Sequence, residues 1–124
     1  MSMQRYELEA WLGPALDDMT AEQVDAFAAM VDRIETRYPG RDHGQHPDEE
    51  AAVEAMSGAL MVLLGDDALA GLAGEWSRAK RAEREAMARL TGAIIAASTA
   101  GRMETEIAAE TGLNRGTVRK ALGK

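Results

Sequence analysis

Near its carboxyl end the chain carries polar and basic side chains at the spacing of a helix surface. Arg115 and Arg119 are four residues apart, so on a helix they lie one turn apart on the same face. An arginine fork matches the O6 and N7 acceptors of guanine and discriminates against a wrong base by about 1–3 kcal/mol. Thr117 and Lys120 suit phosphate oxygens, and Gly116 permits close approach of a backbone. The chemistry predicted for this face is recognition of duplex DNA.

The residues around these side chains predict two short helices joined by a tight turn. Gly112 stands where the chain must leave the first helix through a left-handed conformation, which glycine adopts without steric cost. Leu113 fills the corner, and Asn114 is a good cap for a second helix over residues 114–122. The inward faces of the two helices are formed by Ile107, Ala108, Thr111, Val118, Ala121 and Leu122.

The stretch EIAAETGLNRGTVRKAL resembles the recognition core of trihelical helix-turn-helix DNA-binding domains. Such domains occur in bacterial and phage transcriptional regulators, in sigma-factor region 4, and in resolvases and invertases. The resemblance covers residues 82–124 and puts Leu90, Ala93, Ile94 and Ala97 in the first of the three helices. It implies that DNA is contacted by Asn114, Arg115, Gly116, Thr117, Arg119 and Lys120, to which we add the flanking Arg102 and Lys124.

One position departs from the pattern of this family. Its members often carry Ser or Thr as the helix cap four residues before the position of Ile107, whereas this chain has Met103 there. We therefore expect the helix to begin at Glu104 or Thr105.

The charge of the chain is strongly asymmetric. Residues 1–75 hold four basic and sixteen acidic side chains, a net charge of −12. Residues 76–124 hold ten basic and five acidic side chains, a net charge of +5, which leaves −7 for the whole chain. The basic part suits a polyanionic partner, and phosphate repulsion is expected to hold the acidic part away from DNA.

Two helices are predicted ahead of residue 40. The first covers residues 4–12 and stops at Gly13–Pro14, because proline removes a backbone donor and clashes with the preceding turn. Thr20 and Gln23 fit a capping box that starts the second helix, which Pro39–Gly40 ends. This second helix carries one apolar stripe, at Val24, Phe27, Val31, Ile34 and Tyr38.

Two more helices are predicted after a loop over residues 38–48. Asp48 is expected to cap the third helix, which ends at Gly65, and Asp66 or Asp67 to cap the fourth.

Apolar residues then alternate spacings of 3 and 4, which indicates a heptad-like seam along one long helix or two collinear ones. Glycines within it allow a break near Gly71–Gly74. The seam consists of Leu69, Leu72, Trp76, Ala79, Glu83, Ala86, Leu90, Ala93 and Ala97.

We predict an all-α fold in two parts. Residues 1–75 form an acidic helical region for dimerisation or regulation, and residues 76–124 form the helix-turn-helix domain, with a long helix over about 75–100 shared between them. The sequence ends at Lys124, so no β-wing is expected. Because one recognition helix offers few phosphate contacts, we expect a homodimer that reads two half-sites.

Other kinds of site find little support in the sequence. There is no Cys, which removes thiolate metal ligands. A metal site formed by two histidines and nearby acidic residues is disfavoured, because a helix start already explains the acidic residues. The members of this disfavoured site would be Asp42, His43, His46, Asp48 and Glu49. Nothing indicates catalysis or a cofactor. The start of the chain is unlike a signal peptide and the longest apolar run is too short for a membrane span, so we expect a cytoplasmic protein.

The leading interpretation is a sequence-specific transcriptional regulator, more specifically a repressor, that binds double-stranded DNA as a dimer. A second interpretation is a protein-interaction module, such as an antitoxin or a polymerase- or recombinase-associated factor. Its acidic N-terminal helices hold the partner, and the helix-turn-helix serves as a targeting arm. A third is a DNA-organising protein of a plasmid or phage. The sequence leaves these alternatives open.

Overall fold

The computed structural model describes residues 3–39 and 46–124, and this part of the chain is helical without any strand. The prediction of an all-α fold is confirmed for these residues. None of their helices is long and apolar enough to cross a bilayer. In chain order the elements are α1 (Arg5–Leu12), a 3₁₀ helix (Gly13–Asp18), α2 (Ala21–Arg37), α3 (His46–Leu63), α4 (Leu69–Thr99), α5 (Glu104–Thr111) and α6 (Arg115–Ala121).

The chain divides into two compact units, residues 1–73 and 74–124. In the first unit, α1, α2 and α3 contribute to one apolar core. The ring of Trp11 stacks on that of Phe27, with centroids 5.6 Å apart. The buried members of this core are Leu8, Leu12, Val24, Phe27, Val31 and Met56.

The start of α2 agrees with the sequence. The amide of Gln23 donates to Thr20 Oγ1 at 3.1 Å, and the amide of Thr20 donates to Gln23 Oε1 at 2.8 Å. This reciprocal pair is the predicted capping box. Four members of the predicted stripe, Val24, Phe27, Val31 and Ile34, face the core. Tyr38, the fifth, lies beyond the end of α2 as its C-cap and does not belong to this core. The core-facing side of α2 also buries Glu35, which the stripe did not predict.

The starts of α3 and α4 differ from the sequence prediction. Helix α3 begins at His46, two residues before the expected cap Asp48, because Pro47 fits the first turn of a helix, where no backbone donor is needed. Helix α4 begins at Leu69, so neither Asp66 nor Asp67 is its cap. The Asp67 carboxylate instead accepts a hydrogen bond from the amide of Ala68 at 2.7 Å.

Helix α3 ends where glycine permits it. Gly65 has φ 79°, the amide of Gly65 donates to Val62 O at 3.1 Å, and that of Asp66 donates to Met61 O at 2.8 Å. These two bonds form a Schellman motif, which satisfies the last carbonyls of the helix. The prediction that Gly65 terminates the third helix is confirmed.

Helix α4 is continuous, and the break allowed near Gly71–Gly74 does not occur. A single glycine costs a helix only about 1 kcal/mol relative to alanine, and many good helix formers follow. Every residue from 75 to 89 is exposed. The middle of the seam therefore has no apolar partner among the described residues of this chain, and Trp76 is 63% exposed.

Candidate nucleic-acid interface

Three helices of the second unit meet around a small apolar core. Ile94 of α4, Ile107 of α5 and Val118 of α6 are 2%, 3% and 0% exposed. The inward positions expected from the sequence are confirmed here, except that Ala93 is exposed. This core holds α6 against its two neighbours. Packed around it are Leu90, Ala97, Ala108, Leu113, Ala121 and Leu122.

A left-handed glycine makes the turn between α5 and α6. Gly112 has φ 77° and ψ 3°, and its amide donates to Ala108 O at 3.0 Å. The amide of Leu113 donates to Thr111 Oγ1 at 3.2 Å, while that hydroxyl donates to Ile107 O at 2.8 Å. The predicted roles of Gly112 and Leu113 at the corner are confirmed. The hydroxyl of Thr111 adds a link between the end of α5 and the turn.

The turn between α4 and α5 is built in a similar way. Gly101 has φ 96°, and the amide of Arg102 donates to Ala97 O at 3.1 Å. Helix α5 then begins at Glu104, one of the two predicted starts. Met103 has no capping side chain, but its amide donates to Glu106 Oε1 at 3.1 Å. Glu106, in the first turn of α5, thus satisfies the amide of the cap residue, but it does not take over the hydrogen bond that a Ser or Thr at position 103 would accept.

Asn114 caps α6 as predicted. Its Oδ1 accepts hydrogen bonds from the amide of Thr117 at 2.8 Å and from the hydroxyl of Thr117 at 3.1 Å. The hydroxyl proton of Thr117 is therefore directed at the cap, and a phosphate contact by this half-buried side chain requires the hydroxyl to rotate. A Cβ added at Gly116 would lie 3.2 Å from Asn114 Oδ1, so glycine also keeps the cap uncrowded.

The outer side of α6 presents the remaining predicted residues to solvent. Arg115 is 64% and Arg119 46% exposed by side chain, and Gly116 and Lys120 are exposed too. We call these four residues the α6 face. It combines two arginine forks one helical turn apart with a lysine and a position that lacks a side chain.

A glutamate that the sequence analysis did not single out lies among the basic residues. Glu104, in the first turn of α5, accepts from Arg115 Nε at 3.4 Å, from Arg119 Nη1 at 3.1 Å and from Lys124 Nζ at 2.8 Å. Its side chain is 16% exposed, whereas that of Lys124 is 49% exposed. The structure thus brings Arg115, Arg119 and Lys124 together around one carboxylate. We call these four residues the Glu104 cluster.

The cluster shifts the titration of its carboxyl group. The hydrogen bond from Lys124 is the largest cause, followed by those from Arg119 and Arg115, and together they lower the pKa of Glu104 to about 2. Partial burial opposes this shift because it disfavours the charged form. Glu104 is therefore a permanent anion at neutral pH, and it offsets one of the positive charges beside the α6 face.

Arg102 stands apart from the cluster. Its guanidinium is paired with the Glu110 carboxylate, and this hydrogen bond raises the pKa of Arg102 above its ordinary value. The other basic group of the unit, on α4, is exposed throughout, and the ammonium of Lys80 lies 4.3 Å from the centre of the Trp76 ring. That group consists of Arg78, Lys80, Arg81 and Arg84.

The disfavoured metal site falls mostly outside the described residues. Asp42 and His43 are not described, and the same is true of the side chains of His46 and Asp48. In the ranges 3–39 and 46–124 no group of three or more His, Asp or Glu side chains is arranged to hold a metal ion.

Comparison of the chain with known protein families, with curated proteins and with solved structures gives no match.

Proposed function

We propose that the chain is a sequence-specific regulator of transcription that binds double-stranded DNA as a homodimer, with α6 in the major groove. The observation that carries this proposal is the α6 face, held outward by the core of Ile94, Ile107 and Val118. A helix is about 10–12 Å wide with its side chains, and the major groove of B-DNA is about 12 Å wide. The left-handed turn at Gly112 joins two short helices, α5 and α6, which is what the proposed helix-turn-helix requires.

The side chains of the α6 face divide into two roles. Arg115 and Arg119 reach base edges, because each keeps unused guanidinium donors beyond those directed at Glu104. Lys120 contacts phosphate, as a flexible point charge does. Gly116 lets the α6 backbone approach the DNA closely.

The dimer is supported by the surface of α4. Residues 75–89 are exposed on all sides, although the seam there carries Trp76, Ala79 and Ala86 on one stripe. A second copy placed along this stripe covers apolar surface that one chain leaves in water. Two α6 helices held by such a dimer read two half-sites about one DNA turn apart. Bound in this way the protein occludes its site, which favours repression.

Selection of bound sites from random duplex DNA by the full chain tests the proposal. We expect an enriched palindrome whose half-sites are spaced by about one helical turn. Recovery of no preferred sequence, together with steep salt dependence, would instead favour a DNA-organising role.

Substitution then tests direct readout by α6. Arg119→Ala should weaken binding to the selected site by about 1–3 kcal/mol and relax the preference at one base position. Arg78→Ala removes an equal charge from exposed α4 and is the matched control. If the two substitutions changed the preferred base sequence equally, direct readout by Arg119 would be wrong.

A second candidate function is a protein-interaction module. It is favoured by the surface of the first unit, residues 1–73. Tyr6 is 73%, Val53 42% and Leu69 80% exposed, and such apolar groups suit a protein partner. Full-length Arg115→Ala/Arg119→Ala protein tests this candidate. Capture of one specific cellular protein by this variant, lost on further substitution of Val53→Asp, would support it.

A further inference from the structure

Glu104 lies among three basic side chains that would otherwise attract an external anion. Its carboxylate is covered by three cations, which remain about half exposed or more: 64% for Arg115, 46% for Arg119 and 49% for Lys124. Each cation directs only part of its donors at Glu104. Arg115 uses Nε and Arg119 uses Nη1, so the other guanidinium nitrogens of both can bond outward.

This arrangement has two opposite effects on an approaching polyanion. The negative charge of Glu104 repels phosphates and competes with them for the three cations. The same carboxylate restrains flexible side chains, so less conformational freedom is lost when Arg115 and Arg119 form directed hydrogen bonds. The repulsion weakens every phosphate contact. The restraint strengthens only the directed hydrogen bonds of Arg115 and Arg119.

Resting on the proposed DNA-binding function, we propose that Glu104 is a specificity-determining residue. Its carboxylate stands in for a phosphate in the free protein and lowers affinity for random duplex more than affinity for the preferred site. Binding to random duplex comes almost entirely from cation–phosphate contacts, which the carboxylate opposes. Binding to the preferred site adds arginine–base hydrogen bonds, whose geometry the carboxylate holds.

Glu104→Gln, which keeps the shape and removes the charge, tests this inference. The measurement is the affinity of the full chain for random duplex and for the duplex recovered by selection, by fluorescence anisotropy at about 50 to 200 mM salt. Affinity for random duplex should rise about tenfold, with a salt slope steeper by about one contact. Affinity for the selected duplex should change by less than about threefold, so discrimination falls.

Glu85→Gln is the matched control, because Glu85 is exposed on α4 of the same unit. It makes the same change in net charge and should raise both affinities equally, by about twofold or less. Glu104→Asp keeps the charge with a shorter reach and should retain most of the wild-type discrimination. It also keeps the inference testable if Glu104→Gln melts at the assay temperature.

Three outcomes overturn the inference. Glu104→Gln could behave like Glu85→Gln, in which case the cluster has no role in discrimination although the protein binds DNA. It could weaken both duplexes equally, which would make Glu104 a purely structural residue. If wild-type protein binds neither duplex, the proposed function fails and the inference fails with it.

Discussion

Glu104 and Arg119 are fifteen residues apart in sequence, yet Glu104 Oε1 accepts a hydrogen bond from Arg119 Nη1 at 3.1 Å. This contact ties the first turn of α5 to the last turn of α6. Arg115 and Lys124 bond to the same carboxylate, at 3.4 and 2.8 Å. The two helices are thus joined at their polar side by the Glu104 cluster as well as at their apolar side by Ile107 and Val118.

The low pKa of Glu104 predicts a definite dependence of stability on pH. Its pKa is about 2 in the folded chain against an ordinary value of 4.5, so ionised Glu104 stabilises the fold above pH 4.5. This contribution is lost as pH falls from 4.5 towards 2. The melting temperature of wild type should exceed that of Glu104→Gln at pH 6, and the gap should close in that window. A gap that stays constant down to pH 2 would contradict the ion cluster.

Two glycines of the second unit should respond oppositely to alanine. Gly112 has φ 77° and no atom within 4 Å of an added Cβ, so Gly112→Ala introduces backbone strain without a clash. It should destabilise the unit by about 1–2 kcal/mol. Gly92 lies inside α4, also with nothing within 4 Å, so Gly92→Ala should stabilise it by up to about 1 kcal/mol. Amide hydrogen exchange in α5 and α6 measures both. A Gly112→Ala protein at least as stable as wild type would contradict the left-handed turn.

The C-terminal core and its turn could be predicted from the sequence because their causes are local. A left-handed glycine, an asparagine cap and apolar residues at helical spacing leave few alternatives over residues 104–122. The Glu104 cluster could not be predicted in this way. Its three cations follow Glu104 by 11, 15 and 20 residues, so they reach the carboxylate only because of the way α5 and α6 pack together.

The starts of α3 and α4 were predicted less well, because several residues near a boundary can take the same role. Asp48, Asp66 and Asp67 are all good caps, yet α3 and α4 begin elsewhere. Glycine spacing also suggested a break in α4 that the helix propensity of its neighbours prevents. The buried position of Glu35 has no signal in the apolar stripe of α2.

Neighbouring isoleucines of α4 provide a test of the second core. Ile94 is 2% and Ile95 47% exposed. Ile94→Ala leaves a cavity between α4, α5 and α6 and should destabilise the unit by about 2–5 kcal/mol. Ile95→Ala should change stability by no more than about 0.5 kcal/mol. Chemical denaturation, monitored by hydrogen exchange of the α6 amides, distinguishes the two variants. Comparable losses of unfolding free energy in both would mean that the core is wrongly assigned.

Alanines of α4 test whether the seam is the dimer surface. Ala86 and Ala88 are both exposed in the single chain, but only Ala86 lies on the seam. Ala86→Lys puts a charge between the two proposed copies and should shift sedimentation towards the monomer by about tenfold or more in dissociation constant. Ala88→Lys adds the same charge on another side of the helix and should leave association nearly unchanged. A dimer unaffected by both variants would place its interface elsewhere.

Substitution of Lys120 and of Lys80 distinguishes a lysine that contacts DNA phosphate from one that only faces solvent. Lys120 is exposed on α6, and within the described residues no carboxylate pairs with it, so its charge is open to an anionic partner such as the proposed DNA. Lys120→Ala should weaken binding to every duplex to a similar extent and reduce the salt slope by about one. Lys80 lies over the Trp76 ring, 4.3 Å from its centre, and Lys80→Ala should leave the slope unchanged if this surface faces solvent. A slope reduced by both variants would extend the DNA contact along α4. If the slope responded to Lys80→Ala alone, the proposed placement of α6 on the DNA would be wrong.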